Sequence, residues 1–390
     1  MIEREIAKHF KRLASQYPVV TLTGPRQSGK TTLCRQVFPQ KAYVSLENPD
    51  VRERAKGDPR GLLADYPSGL VLDEIQRVPE LVSYLQELVD TDDTPGRFIL
   101  TGSQQFEVTH TVNQSLAGRT ALLRLLPFTL SEAYGKKLPE MDAILYAGFY
   151  PRIHDKQLNP TEASSFYVET YVQRDVRNLL NIRDLHLFER FIRLCAAHTG
   201  QLINYAAWSN SLGLDQKTIK AWLSILEASY LVFLLSPHSS NTRKRIVKTP
   251  KLYFYDVGLA SYLLGIQSTV QLQHHPLRGA LFENLVVAEM VKQRFNAVKS
   301  HHLFFYRDRN GLEVDVLMEE GGCVVPVEIK AAQTFLPPMT AALDKYLTLV
   351  NSDNGQVAIH PTLIYGGHQK MQYKGVRVLP VSDMCSSMMF

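Results

Sequence analysis

Gly24, Pro25, Arg26, Gln27, Ser28, Gly29, Lys30 and Thr31 follow the spacing G-x-x-x-x-G-K-[ST], which suits a loop that cradles phosphates. Its glycines let the backbone curl so that N–H groups point inward at phosphate oxygens. Lys30 is expected to reach the β- and γ-phosphates of ATP, and the Thr31 hydroxyl to ligate Mg2+. A helix read over 31–38, with Thr32 in its first turn, would turn its positive end to the same anion. A second motif supplies the acids. The apolar run 69–72 ends in Asp73 and Glu74. Asp73 would hold the magnesium through water, and Glu74 would orient and polarise an attacking water. The alternatives are an ordinary glycine-rich turn and a solvated strand end, but each motif makes the other's bland reading less economical.

The elements that must position these groups alternate. Strand-like runs at 19–23, 42–46, 70–72, 98–100 and 121–126 are separated by helix-like stretches, notably 80–89. Such alternation implies an α/β domain with a parallel sheet covered by helices. Ligands gather at the C-terminal ends of such strands. The run 42–46 suggests a strand inserted between the two motif strands. Thr101, Ser103 and Gln104 close the fourth run and are placed either to sense the γ-phosphate or to form a polar loop. Arg119, just before the fifth run, reads as an arginine finger in cis or from a neighbouring subunit, or as a surface arginine. Arg174 is a further candidate for that role.

Beyond residue 143 the strand signals fade. Helical patterns cover 165–180, 185–199 and 216–227, and a strand-like run follows at 230–235. Three helices followed by a hairpin suggest a winged-helix-like unit. The basic run Arg243, Lys244, Arg245 and Lys248 would meet DNA phosphates beside such a unit or form a solvated loop. Strands return at 252–255, 302–306, 314–318 and 324–329, around a helical pattern at 277–294. Three domains are therefore expected, at 1–137, 138–247 and 248–390, the last of α/β type.

These residues resemble a large family of bacterial and archaeal AAA-type ATP-binding proteins. The match runs through residues 23–33, 72–76, 100–103 and 115–119, then 248–259, 279–284, 305–307, 313–315 and 327–330. The ordered set is far more specific than any one motif. The resemblance implies a P-loop ATPase core, a winged-helix-like middle and a C-terminal fold like that of restriction nucleases. The last expectation has residues of its own. Glu328 and Lys330 are two apart on one strand and share a face. An antiparallel neighbour across the turn 319–322 would bring in Asp315, and the preceding helix Glu283. Asp315 and Glu328 would hold a divalent metal, with Lys330 steadying phosphate or water, as in PD-(D/E)xK nucleases. The alternative is a strand with a charged, solvated face.

The bulk properties bound these readings. The 390 residues exceed what one core supports, and the composition, 45% hydrophobic and 21% charged, is that of a globular protein. A net charge of +5 permits DNA as a partner without requiring it. Four scattered cysteines and two His-His pairs have no zinc-ligand spacing. A charged N-terminal stretch and the lack of a long apolar run point to a cytoplasmic protein with no membrane contact. The leading expectation is an ATPase, with a homo-oligomer implied if the finger acts in trans. The alternatives are an ATP-gated switch with an inactive nuclease-like domain, and a defence or mobile-element nuclease.

Overall fold

The computed structural model describes residues 2–103, 115–170, 184–238, 249–352 and 357–385. Gln104, Arg174 and the basic run 243–248 lie outside the described residues. Strands β1 (Val19–Thr23), β2 (Ala42–Ser45), β3 (Leu70–Asp73), β4 (Phe98–Gly102) and β5 (Thr120–Arg124) form a sheet of order β2-β3-β4-β1-β5. Every pairing in it is parallel. A strand does separate the two motif strands, but it is β4, not the run at 42–46. Burial explains the exchange: β4 is buried at every position and suits the centre, whereas β2 is mostly half-buried and takes the edge.

Alternation along the strands sorts the side chains to two faces. Val20 and Leu22 pack with Phe10, Leu33 and Cys34 from the helices Ala7–Ala14 and Lys30–Val37. Val19, Leu70, Leu72 and Leu100 pack on the other face with Leu81, Val82 and Leu85 of the helix Leu81–Thr91. This places the C-terminal ends of β1, β3 and β4 side by side at one edge of the domain.

The helices Leu185–Ala197, Tyr205–Leu212 and Gln216–Ala228 follow, each N-capped by a side chain, from Asp184, Asn204 and Asp215 respectively. They lead into β6 (Val232–Pro237) and β7 (Lys251–Phe254), an antiparallel hairpin. The hairpin is not free-standing. Ser236 and Pro237 pair in parallel with β8 (Leu303–Arg307), so it extends the C-terminal sheet. That sheet continues through β9 (Glu313–Glu320) and β10 (Cys323–Lys330), with β11 (Val357–Ala358) beside β10. It then passes to β12 (Thr362–Tyr365), β13 (Met371–Tyr373) and β14 (Val376–Pro380), in the order β13-β14-β12-β10-β9-β8-β6-β7. One apolar cluster runs from Leu126 to Met384 and includes the long helix Arg278–Asn296. The helical middle and the C-terminal sheet therefore share a core, and the expected boundary at 247/248 falls between the paired strands β6 and β7. Among the described residues no helix is long and apolar enough to cross a membrane.

Candidate functional site

The loop after β1 curls as its glycines require. Gly24 has φ 152°, and a Cβ there would meet the Leu125 carbonyl oxygen at 2.1 Å. Gly29 takes φ 92° directly before the helix Lys30–Val37. Gln27 (φ 61°) and Glu74 (φ 59°) hold left-handed backbone without being glycine. Strain of that kind costs on the order of 1–3 kcal/mol per residue and gathers at functional sites. Lys30 is buried, and its ammonium donates to the carbonyls of Gly24 and Pro25 at 2.9 Å each. Burial pushes it below the ordinary lysine range, while Glu74 and Asp73 pull the other way. The Ser28 hydroxyl is fully buried with no partner. A lysine bonded only to its own loop and an orphaned hydroxyl are the features of a cradle built for a further polar group. Arg4 holds the loop from behind. It donates to Ser28 O and Leu126 O at 2.7 Å and to Glu132 Oε1 at 3.0 Å.

Asp73, the last residue of β3, is held from three sides. The Thr31 hydroxyl donates to Oδ2 at 3.1 Å, the Tyr43 hydroxyl donates to the same oxygen, and the Thr101 hydroxyl donates to Oδ1. The expected metal ligands Thr31 and Asp73 are therefore in contact. Donors of this kind, a hydroxyl and a carboxylate beside a phosphate loop, suit Mg2+. Glu74 accepts from Ser103 Oγ at 2.9 Å and from Gln76 Nε2. Ser103 thus reaches the site through Glu74.

Arg26, Gln27, Ser28, Gly29, Lys30, Thr31 and Thr32 line a cavity of about 970 Å3 together with Asp73 and Glu74. Gly24 and Pro25 serve it through the carbonyls that hold Lys30. Arg152, Asp155 and Lys156 of the helix Pro151–Lys156 also line the cavity. Arg152 and Lys156 stand at i and i+4, so they share a face of that helix. Sequence reasoning missed them, because nothing local marks a basic pair on a short helix more than a hundred residues from the loop. Tyr43 and Arg4 were also missed, because neither belongs to a spacing motif and only the folded contacts with Asp73 and Ser28 reveal them.

Of the readings open for Arg119, its position bears on a finger in cis. It precedes Thr120, which pairs with Val19 at the start of β1, whereas the phosphate loop follows Thr23 at the other end. Five residues of strand span roughly 16 Å. Arg119 is half-exposed and bonds to Asp90.

The second expected cluster does assemble. β9 and β10 pair antiparallel, and Asp315 Oδ2 accepts from Ile329 N at 2.8 Å. Lys330 Nζ donates to Glu328 Oε1 at 2.6 Å. Glu283 joins from the long helix, but through a residue that was not foreseen. The Lys251 ammonium, 3% exposed, lies 3.2 Å from Glu283, 2.6 Å from Glu313 and 4.0 Å from Asp315. Tyr253 also donates to Glu283 at 2.6 Å. Burial alone would lower Lys251, but the carboxylates of Glu283, Asp315 and Glu313 overcome it and hold the ammonium above the ordinary lysine range. Burial, reinforced by Asp315, pushes Glu283 up to about 7 against the pull of Lys251. Burial likewise pushes Glu328 up to about 8 against Lys330. Glu328 Oε2 is buried without a partner. Among the described residues no group of three or more His, Cys, Asp or Glu is arranged to hold a metal ion. Lysine ammonium groups stand beside these acids, Lys251 among Glu283, Glu313 and Asp315 and Lys330 against Glu328. Cys34, Cys195, Cys323 and Cys385 are free thiols.

Comparison with known proteins gives the chain its relatives. Residues 16–134 match an AAA domain, residues 138–270 a domain of unknown function (DUF8612), and residues 278–384 another (DUF4143). The uncharacterized protein Rv2008c of Mycobacterium tuberculosis is 31% identical over 335 residues, covering 85% of this chain and 74% of that one. An uncharacterized protein of Haemophilus influenzae is 22% identical over 314 residues, covering 71% and 75%. Among solved structures, the Walker-type ATPase PABY2304 of Pyrococcus abyssi is similar over 67% of this chain and 96% of that one, with 15% identity and a TM-score of 0.45.

Proposed function

Since the chain belongs to one family with the uncharacterized protein Rv2008c of Mycobacterium tuberculosis and its residues 16–134 match an AAA domain, we propose that it binds and hydrolyses ATP at the cavity between the 24–31 loop and the Asp73–Glu74 pair. The observation that carries this reading is the convergence of Lys30, Thr31, Asp73 and Glu74 on one cavity, with Thr31 and Asp73 already in hydrogen-bond contact. On binding, Lys30 exchanges the Gly24 and Pro25 carbonyls for phosphate oxygens. The N–H groups of the loop and the start of the helix Lys30–Val37 meet the same anion. Thr31 and Asp73 would hold Mg2+, which neutralises phosphate charge when bound. Glu74 positions a water for attack on the γ-phosphorus and accepts its proton, the bond from that phosphorus to the β–γ bridging oxygen breaks, and ADP leaves with that oxygen beside inorganic phosphate. Arg152 and Lys156 line the same cavity and supply positive charge in cis, a role the sequence offered to Arg119. Lys30→Ala is expected to abolish binding of a fluorescent ATP analogue to the full chain. Undiminished binding by that variant sinks the assignment.

A second reading concerns the C-terminal half. The convergence of Glu283, Asp315, Glu328 and Lys330 on neighbouring elements favours a nuclease-like domain that acts on DNA beside a winged-helix-like unit, its activity governed by ATP. Incubation of the chain with linear and circular DNA, ATP and Mg2+ or Mn2+ tests it. Cleavage lost in Asp315→Asn would support a nuclease. Intact DNA under every metal leaves the half as a binding or regulatory module.

A further inference from the structure

We infer that Lys251 is the resident cation of the C-terminal acid cluster, standing among Glu283, Glu313 and Asp315, so that this cluster is held by lysines instead of binding Mg2+ or Mn2+. Four observations carry it. The ammonium lies among Glu283, Glu313 and Asp315, at 3.2, 2.6 and 4.0 Å. It is nearly sealed from solvent, so its charge is balanced by these acids and not by water. Its backbone is fixed on both sides, paired to Leu235 in the β6–β7 hairpin and bridged to Leu202. Further oxygens of the cluster are engaged as well: Asp315 Oδ2 accepts the Ile329 N–H, and Glu328 Oε1 takes Lys330.

A divalent cation needs two or three carboxylates that converge on it. Here Glu283 Oε1, Asp315 Oδ2 and Glu328 Oε1 are already taken, and Glu328 Oε2 is a fully buried oxygen of the cluster without a partner. A metal close to Asp315 would also lie beside an ammonium 4.0 Å from the same carboxylate, and like charges in a buried site repel strongly. The inference turns the second reading above toward a non-cleaving module. It also gives the cluster a different task. Lys251 belongs to the hairpin that ends the helical middle, whereas Glu283, Glu313 and Asp315 belong to the long helix and to β9. The ion pairs latch the hairpin to the C-terminal sheet.

Mn2+ binding to the nucleotide-free full chain, followed by electron paramagnetic resonance, tests this without involving the ATP site. The unaltered chain is expected to show no Mn2+ site that depends on Asp315. Lys251→Met removes the charge at similar size and should gain one Mn2+ site, tighter by tenfold or more, which Asp315→Asn then abolishes. Binding by the unaltered chain that Asp315→Asn removes overturns the inference, and so does a folded Lys251→Met chain that gains no site. If Lys251→Met does not fold, the melting temperature of the unaltered chain still decides. A rise with Mn2+ that is absent in Asp315→Asn contradicts the inference, and identical responses of the two chains agree with it.

Discussion

The Thr23 hydroxyl and the Tyr230 hydroxyl meet at 2.7 Å. Thr23 is the last residue of β1, one residue before the phosphate loop. Tyr230 is fully buried with φ 56°, between the helix Gln216–Ala228 and β6. The bond therefore ties the base of the loop to the entrance of the hairpin that carries Lys251. Tyr230→Phe keeps the ring and removes the bond. Expected losses are about 1 kcal/mol of stability and part of the effect of ATP on hydrogen exchange in β6 and β7. Unaltered exchange in the variant would show that the contact transmits nothing.

Arg152→Ala is expected to weaken nucleotide binding by about tenfold, the scale of one charge-assisted hydrogen bond. Arg119→Ala should leave turnover unchanged in dilute solution, because Arg119 lies at the far end of β5 from the loop. Equilibrium titration with an ATP analogue and steady-state turnover of the two variants separate these roles. The reverse pattern would return the finger to Arg119.

Glu227, on the helix Gln216–Ala228, has its pKa pushed up from 4.5 to about 7 by burial. Its folded-state value exceeds its unfolded one, so between these two pH values the folded chain binds more protons. Stability contributed by the neutral form is present below about 4.5 and is lost as pH rises through about 7. Glu227→Gln should therefore flatten the fall of urea-unfolding stability over that window. An unchanged slope would place the pH dependence elsewhere.

The phosphate loop was legible because its chemistry dictates local spacing: Gly24, Gly29, Lys30 and Thr31 must be near neighbours in sequence to curl around one anion. Asp73 and Glu74 were legible because an apolar run delivers them. Strand order was harder. It depends on which run is buried on both sides, and the short runs at 42–46 and 98–100 look alike until the helices are placed. Glu283, Asp315, Glu328 and Lys330 came into one frame through strand alternation and a resemblance. Lys251 did not, although it sits in the same matched segment, because a lysine opening a strand looks like a surface residue. Its meaning arises only when β7 joins the C-terminal sheet through β6 and β8. Arg152 and Lys156 were hidden for the same reason, since a cavity wall made by a distant helix leaves no trace in local periodicity.

The most direct measurement is ATP turnover and ATP binding by the unaltered chain beside Glu74→Gln, which differs by the loss of one ionisable oxygen. Expected are measurable turnover by the unaltered chain, retained ATP binding by the variant, and turnover reduced a hundredfold or more, the range for losing a positioned general base. Hydrolysis by Glu74→Gln at the unaltered rate would contradict the assignment of Glu74 to the attacking water.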